Sequence, residues 1–117
     1  MNLLYKSTRD AEKTVTASQA ILKGLADDGG LFVPVSIPKL PVSLGELKEM
    51  TYQEIAYTVM KEFLTDFTEE ELKSCIAKAY DSKFDTEEIA PLAKVEEAYY
   101  LELFHGATIA FKDMALS

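Results

Sequence analysis

Residues 101–113 read LELFHGATIAFKD and join a strand-like apolar run to a single cation. The run meets a His-Gly break, and the short apolar segment that follows carries Lys112. Few of its neighbours would solvate an ammonium, so partial burial would favour the neutral amine, which can attack an aldehyde and form an imine. The alternative is a lysine on the wet side of a terminal helix, paired with Asp113.

Three residues just upstream of this lysine are candidates for ligand contact. His105 and Thr108 carry hydrogen-bonding groups that could meet an anionic substituent. Gly106 would let the backbone approach a flat ligand closely or turn sharply out of the strand. A lone histidine is also often a satisfied interior or rim residue, so for His105 both readings remain open.

The composition indicates a soluble, cytosolic domain. The 117 residues suffice for one small domain, and the net charge of −8 makes nucleic acid a poor partner. The apolar runs fall far short of the roughly 20 residues that a membrane span needs. A single cysteine, Cys75, and a single histidine are spaced too far apart to suggest a zinc site, so no metal is expected.

Four Ser/Thr-x-x-Glu/Gln spacings predict the starts of four helices. The third and fourth boxes precede segments in which apolar residues repeat at i, i+1, i+4 and i+5, as expected for amphipathic helices that share a core. A glycine pair at 29–30 should end the first helix. The predicted boxes begin at Thr16, Ser43, Thr51 and Thr68.

Short apolar runs predict a few strands beside these helices. We expect strands near residues 3–5, 31–33 and 99–104, with two short strands around the turn at 96–97, and a helical or disordered segment from Thr108. The predicted fold class is α+β, a mainly helical small domain with a few short strands. The predicted core consists of Ile21, Leu22, Leu25, Ile55, Val59, Phe63, Leu72, Ile76, Tyr80 and Leu103.

Taken together, three stretches resemble the threonine synthase family in its N-terminal portion. They are YKSTRD at 5–10, AILKGLADDGGLFVP at 20–34 and LELFHGATIAFKD at 101–113, with the similar helical stretch TYQEIAYTVMKEFL between the last two. The resemblance implies a pyridoxal-phosphate-dependent enzyme of fold type II, related to the β subunit of tryptophan synthase. It also implies the conversion of O-phospho-L-homoserine and water to L-threonine and phosphate.

The same resemblance implies roles for five residues. Lys112 matches the lysine that holds pyridoxal 5'-phosphate as an imine and then moves protons, and Phe111 precedes it in the cofactor site. His105 and Thr108 match a His-Gly-x-Thr turn that shapes the pocket wall and contacts substrate. Arg9 matches a Ser-Thr-Arg motif and could face a phosphate or carboxylate, although a salt bridge holding the N-terminal strand is an open alternative.

Two positions depart from the family pattern. Ala107 replaces the usual proline of the His-Gly turn, and Asp10 replaces the glycine that usually follows Ser-Thr-Arg. The first change should loosen the turn but leave the surroundings of the lysine intact.

The resemblance also predicts how the chain is organised. Residues 1–98 would form the N-terminal domain and residues 99–117 would begin the cofactor-binding catalytic domain. A glycine-rich phosphate loop and a partner for the ring nitrogen are missing from the sequence, so we expect an N-terminal fragment that is inactive alone and gives at most weak cofactor absorbance. Apolar surface around TIAFKDMAL would favour self-association.

Two alternative functions remain at this point. One is a stand-alone acidic helical module that binds another protein. The other is a threonine-synthase-like lyase that acts on the phosphorylated substrate without making threonine.

Overall fold

The chain consists of short strands and mostly short helices, with three helices in succession at its centre. The structure, a computed structural model, describes residues 1–116, and within them it contains five helices and five strands. This mixture confirms the predicted α+β class. In chain order the elements are β1 Tyr5–Ser7, β2 Thr14–Val15, α1 Ala17–Lys23, β3 Phe32–Pro34, α2 Leu44–Leu47, α3 Tyr52–Phe63, α4 Glu69–Ala79, β4 Leu92–Val95, β5 Ala98–Leu101 and α5 Asp113–Leu116.

The strands form two small antiparallel sheets. In the first, β1 lies between β2 and β3, with Lys6 opposite Thr14 on one side and Val33 on the other. In the second, β4 and β5 pair around the turn at 96–97, as predicted. The strands expected at 3–5 and 31–33 are found slightly later in the chain, the one expected at 99–104 ends at Leu101, and β2 was not predicted. The predicted domain boundary after residue 98 falls inside β5 and stays a prediction.

All four predicted capping boxes are present. In each box the side chain of the Ser or Thr accepts a hydrogen bond from the backbone of the residue three positions later. The Glu or Gln at that position accepts a hydrogen bond from the backbone N–H of the cap, for example Thr68 N to Glu71 Oε2 at 2.8 Å. Two of the four orphan amides at each helix start are therefore satisfied locally.

Substitution of the cap residue of α4 tests whether these short-range hydrogen bonds stabilise the helix. We expect Thr68→Ala to lower the free energy of unfolding by about 1 kcal/mol, because the Glu71 backbone N–H loses its acceptor. Urea denaturation of the chain would measure the change. Ser74→Ala, an exposed substitution inside the same helix, is the control and should cost nothing, since alanine is the better helix former. Equal losses of unfolding free energy in the two variants would contradict the role of Thr68 as the helix cap.

The core lies where α3 and α4 meet the segment that follows them. Its buried members are Ile76, Tyr80, Phe84 and Ile89. The Tyr80 ring packs edge-on against Tyr52, with ring centroids 4.9 Å apart. The buried cluster thus combines two aromatic and two aliphatic side chains, and it links the two long helices to the loop 81–91.

The prediction of the core was confirmed for α4 and wrong for α1. Leu72, Ile76 and Tyr80 are buried, but Ile21, Leu22 and Leu25 are 60%, 88% and 60% exposed. Helix α1 instead packs through its alanines, Ala17 and Ala20, because small side chains allow close approach to the neighbouring elements. The remaining predicted members are partly buried: Ile55, Val59, Phe63 and Leu103.

The end of α1 also differs from the prediction. The helix stops at Lys23 and is followed by Gly24, whose φ of 76° is cheap only for glycine. The pair at 29–30 forms a separate turn, in which Gly29 again has a positive φ. The helix therefore ends one turn earlier than expected.

Every helix within residues 1–116 is too short or too polar to cross a lipid bilayer.

Candidate functional site

The segment from Gly106 to Asp113 is closed into a loop by one carboxylate. Asp113 Oδ2 accepts the backbone N–H of Thr108 at 2.8 Å, and Oδ1 accepts the Thr108 hydroxyl at 2.7 Å. Asp113 is only 3% exposed, and both bonds are partly buried because Thr108 itself is exposed. The Thr108 hydroxyl, predicted to contact substrate, is engaged within the chain.

Gly106 makes this closure possible. A Cβ atom at position 106 would stand 2.6 Å from both Cβ and Oδ2 of Asp113, closer than side chains tolerate. The close backbone approach expected at this glycine is therefore directed at Asp113. Any larger residue would push the carboxylate away from Thr108.

Lys112 lies at the end of this loop with its side chain in solvent. Lys112 is exposed, and Phe111 and Ile109 beside it are 75% and 73% exposed. The expectation that the amine would be partly buried was therefore wrong for this chain. Met114 of α5 packs against the core, while the apolar side chains of Ile109 and Phe111 before this helix stay uncovered.

His105 is held between two carboxylates just before the loop. Its Nε2 lies 2.7 Å from Glu102 Oε2, its Nδ1 contacts Asp85 Oδ1, and the ring of Phe104 stacks on it. The backbone N–H of Asp85 also donates to the His105 carbonyl at 3.0 Å. Both ring nitrogens are thus occupied, and the histidine ties residues 102–105 to the loop 81–91.

The hydrogen bonds from Glu102 and then Asp85 raise the pKa of His105 above its ordinary value of 6.5. A group whose pKa is higher in the folded state stabilises that state below its unfolded pKa. The contribution is lost as the pH rises through the folded pKa. The stabilisation by His105 should therefore be complete below about pH 6.5 and decline above it.

This pH dependence can be measured by substitution. We expect His105→Gln to lower the urea unfolding midpoint more at pH 6 than at pH 9, because only the imidazolium donates to both carboxylates. Glu97→Gln removes an exposed charge from the β4–β5 turn and is the control, with no such pH dependence. An equal fall in the unfolding midpoint at both pH values would rule out stabilisation by the contacts of the His105 imidazolium with Glu102 and Asp85.

Arg9 is held at a different place, on the turn 27–30. Its Nη1 donates to the backbone carbonyl of Asp28 at 2.8 Å, so the guanidinium meets a carbonyl there. The Asp28 carboxylate accepts the Ser7 hydroxyl at 2.7 Å and the Gly30 N–H, which lower the pKa of Asp28. The structure groups His105, Thr108 and Lys112 on one segment and fixes Arg9 beside β1.

Three residues of this region were missed by the sequence reasoning. Asp113 was considered only as an ion-pair partner of Lys112, and its spacing of five from Thr108 matches no common motif. Glu102 lies three residues before His105 and could have been noticed. Asp85 is twenty residues from His105, and nothing in the local sequence connects them.

Asp85, one of these residues, lines a groove of about 540 Å³ beside Tyr80 and Phe84. Within residues 1–116, no group of three or more His, Cys, Asp or Glu could hold a metal ion. The carboxylates of Asp85 and Glu102 approach opposite nitrogens of the His105 ring and so cannot converge. A groove of about 940 Å³ between α2, α3 and α4 has Met50 and Tyr57 in its wall and includes none of the predicted site residues.

Comparison with known proteins gives a consistent family assignment. The sequence model of a family described as "Threonine synthase N terminus" matches residues 4–80. A threonine synthase from Eremothecium gossypii is 40% identical over 126 residues, which cover 99% of this chain and 24% of that protein. The chain therefore spans about a quarter of the length of this relative.

Two solved structures share the fold. The crystal structure of threonine synthase from yeast superposes with a TM-score of 0.87 at 35% identity, covering 98% of this chain and 24% of that one. The structure of PLP-bound threonine synthase from Brucella melitensis gives 0.84 at 32% identity, covering 96% and 25%. Both similarities reach beyond residue 80 and take in nearly the whole chain.

Proposed function

Because this chain belongs to the threonine synthase family and matches its N-terminal region, we propose that it is the N-terminal part of a threonine synthase. The enzyme would convert O-phospho-L-homoserine and water to L-threonine and phosphate, as a carbon–oxygen lyase acting on phosphate. The observation that carries the proposal is continuous similarity over 99% of the chain, including the residues around Lys112. The reading as a stand-alone interaction module is not favoured by this similarity.

The cofactor of the proposed enzyme is pyridoxal 5'-phosphate. A PLP-bound relative supports this cofactor. The residues of this chain fit two of its groups, the aldehyde and the flat ring. The exposed amine of Lys112 is open to an aldehyde, and the exposed faces of Phe111 and Ile109 offer apolar surface to a flat ring. When bound, pyridoxal phosphate supplies an electron sink for the carbanion that forms during the reaction.

The residues of this chain would serve that chemistry in distinct ways. Lys112 would hold the cofactor covalently and carry protons at Nζ once a substrate takes its place. Phe111 would pack against the cofactor. His105 and Thr108 would shape the pocket wall, and their support is that partners within the chain hold them in place. Arg9 would face a phosphate or carboxylate of the substrate.

We also propose that the chain is inactive alone. Residues 1–98 would act as the N-terminal domain and residues 99–117 as the beginning of the catalytic domain. The β4–β5 hairpin exposes about 60% of Leu92, Tyr99 and Leu101, which is apolar area suited to packing against further structure or to self-association. We place the enzyme in the cytoplasm.

Product analysis tests the proposed activity. An enzyme that carries this chain as its N-terminal region is incubated with O-phospho-L-homoserine and pyridoxal phosphate, and phosphate and threonine are measured separately. Equal amounts of both products are expected. Phosphate without threonine would replace the proposal with a phospho-lyase, and the absence of both would overturn it.

A further inference from the structure

We propose that the contact between Thr108 and Asp113 is a positioning device for Lys112. This inference rests on the proposed function and adds two positioning residues to it. Asp113 follows the lysine directly in the chain, is 3% exposed, and binds Thr108 through both carboxylate oxygens. The backbone that carries the amine is therefore fixed by a partly buried, charge-assisted contact.

Backbone hydrogen bonds also hold Lys112. Its carbonyl accepts the N–H groups of Ala115 and Leu116 at 3.1 and 2.8 Å, and the N–H of Asp113 donates to Ala110. The Lys112 side chain itself is exposed. A fixed Cα with an exposed amine suits a lysine that must reach a cofactor and later carry protons.

The loop is held against its own backbone preference. Ile109 has a φ of 61°, which a β-branched residue adopts rarely, and its exposed side chain gains no burial in return. Such a conformation persists only where surrounding contacts over-determine it. The Thr108–Asp113 bonds span Ile109, and Gly106 leaves room for the carboxylate to reach Thr108.

The start of the loop has its own anchor. His105 is tied to Asp85 and Glu102, so the chain enters the loop from a fixed point. The loop is therefore fixed at both ends, at His105 and at Asp113. Removing the Thr108 hydroxyl should therefore loosen the position of Lys112 while the anchor and the core stay in place.

The test compares Thr108→Val with Thr108→Ser in the enzyme that carries this chain as its N-terminal region. Valine keeps the shape but not the hydroxyl, whereas serine keeps the hydroxyl. The apoenzyme is mixed with pyridoxal phosphate, and Nζ of Lys112 condenses with the aldehyde, forming a C=N bond and releasing the aldehyde oxygen as water. The rate of this covalent capture is followed by quenching samples with borohydride, whose hydride reduces the C=N bond to a stable secondary amine. The second readout is the unfolding midpoint without cofactor.

We expect Thr108→Val to slow capture about tenfold, the scale of one hydrogen bond to a charged group, and Thr108→Ser to restore it. The unfolding midpoint should fall only slightly, because Thr108 is exposed and its backbone N–H still binds Asp113 Oδ2 in the variant, and this separates positioning from a structural role. Asp113→Ala should slow capture further, and hydrogen exchange at the Thr108 N–H should speed up.

Each failure is recognisable. Wild-type capture rates in Thr108→Val, or a slowed rate that Thr108→Ser does not restore, would overturn the positioning role. A large fall in the unfolding midpoint of Thr108→Val would show that the contact holds the fold together rather than positions Lys112. If the unsubstituted enzyme captures no cofactor at Lys112, the proposed function fails instead.

Discussion

Replacing Lys112 with alanine should abolish most of the activity of the enzyme that carries this chain. The change removes the only group proposed both to hold the cofactor covalently and to move protons. Loss of a general acid–base group alone costs on the order of 10²–10⁴-fold in rate. We expect kcat/KM for O-phospho-L-homoserine to fall by at least that factor, measured by phosphate release.

The fold should survive this substitution. Lys112 is exposed, and surface changes of this kind alter the free energy of unfolding by about 0.5 kcal/mol or less. Lys39→Ala removes another exposed lysine, in the connector before α2, and is the matched control with full activity expected. A Lys112→Ala enzyme with the turnover of the Lys39→Ala control would refute the role assigned to Lys112.

Truncating Tyr80 should cause the largest loss of stability. Its ring is buried between Tyr52 and Phe84, and its hydroxyl donates to the Met114 carbonyl at 2.7 Å. We expect Tyr80→Ala to lower the free energy of unfolding by about 3–5 kcal/mol, because a cavity remains where the ring was. That is a large share of the roughly 5–15 kcal/mol by which domains are stable.

Tyr80→Phe separates the ring from the hydroxyl. This variant keeps the aromatic packing and loses only the bond to Met114, which should cost about 0.5–1.5 kcal/mol. Urea denaturation of the chain measures both variants. A loss below about 1 kcal/mol for Tyr80→Ala would show that α3 and α4 do not depend on this cluster.

The elements predicted best from sequence are those encoded over three or four residues. The boxes at Thr16, Ser43, Thr51 and Thr68 formed as expected, because cap and partner lie within one helical turn. The apolar face of α4 was also predicted, since Leu72 and Ile76 recur at the helical period.

The predictions that were wrong concern burial, which depends on contacts with distant parts of the chain. The sequence of α1 offers both alanines and large apolar residues, and only the packing of the folded chain selects Ala17 and Ala20 over Ile21 and Leu22. The exposure of Lys112 likewise depends on which surfaces meet the segment 106–116 rather than on the residues beside it.

The site shows the same division between local and distant information. The motif around Lys112 identified the candidate lysine, but the groups that hold its loop come from side-chain contacts that no motif describes. Asp113 reaches back to Thr108, and His105 is bound by a carboxylate twenty residues away. Sequence could therefore name the candidate nucleophile but not the residues that position it.

The role proposed for Lys112 depends on a covalent bond between its amine and the cofactor. Borohydride reduction of the enzyme with pyridoxal phosphate, followed by peptide mapping, tests it directly. We expect one pyridoxyl group per chain, attached to Lys112. A label on a different lysine, or an active enzyme without a label, would contradict it.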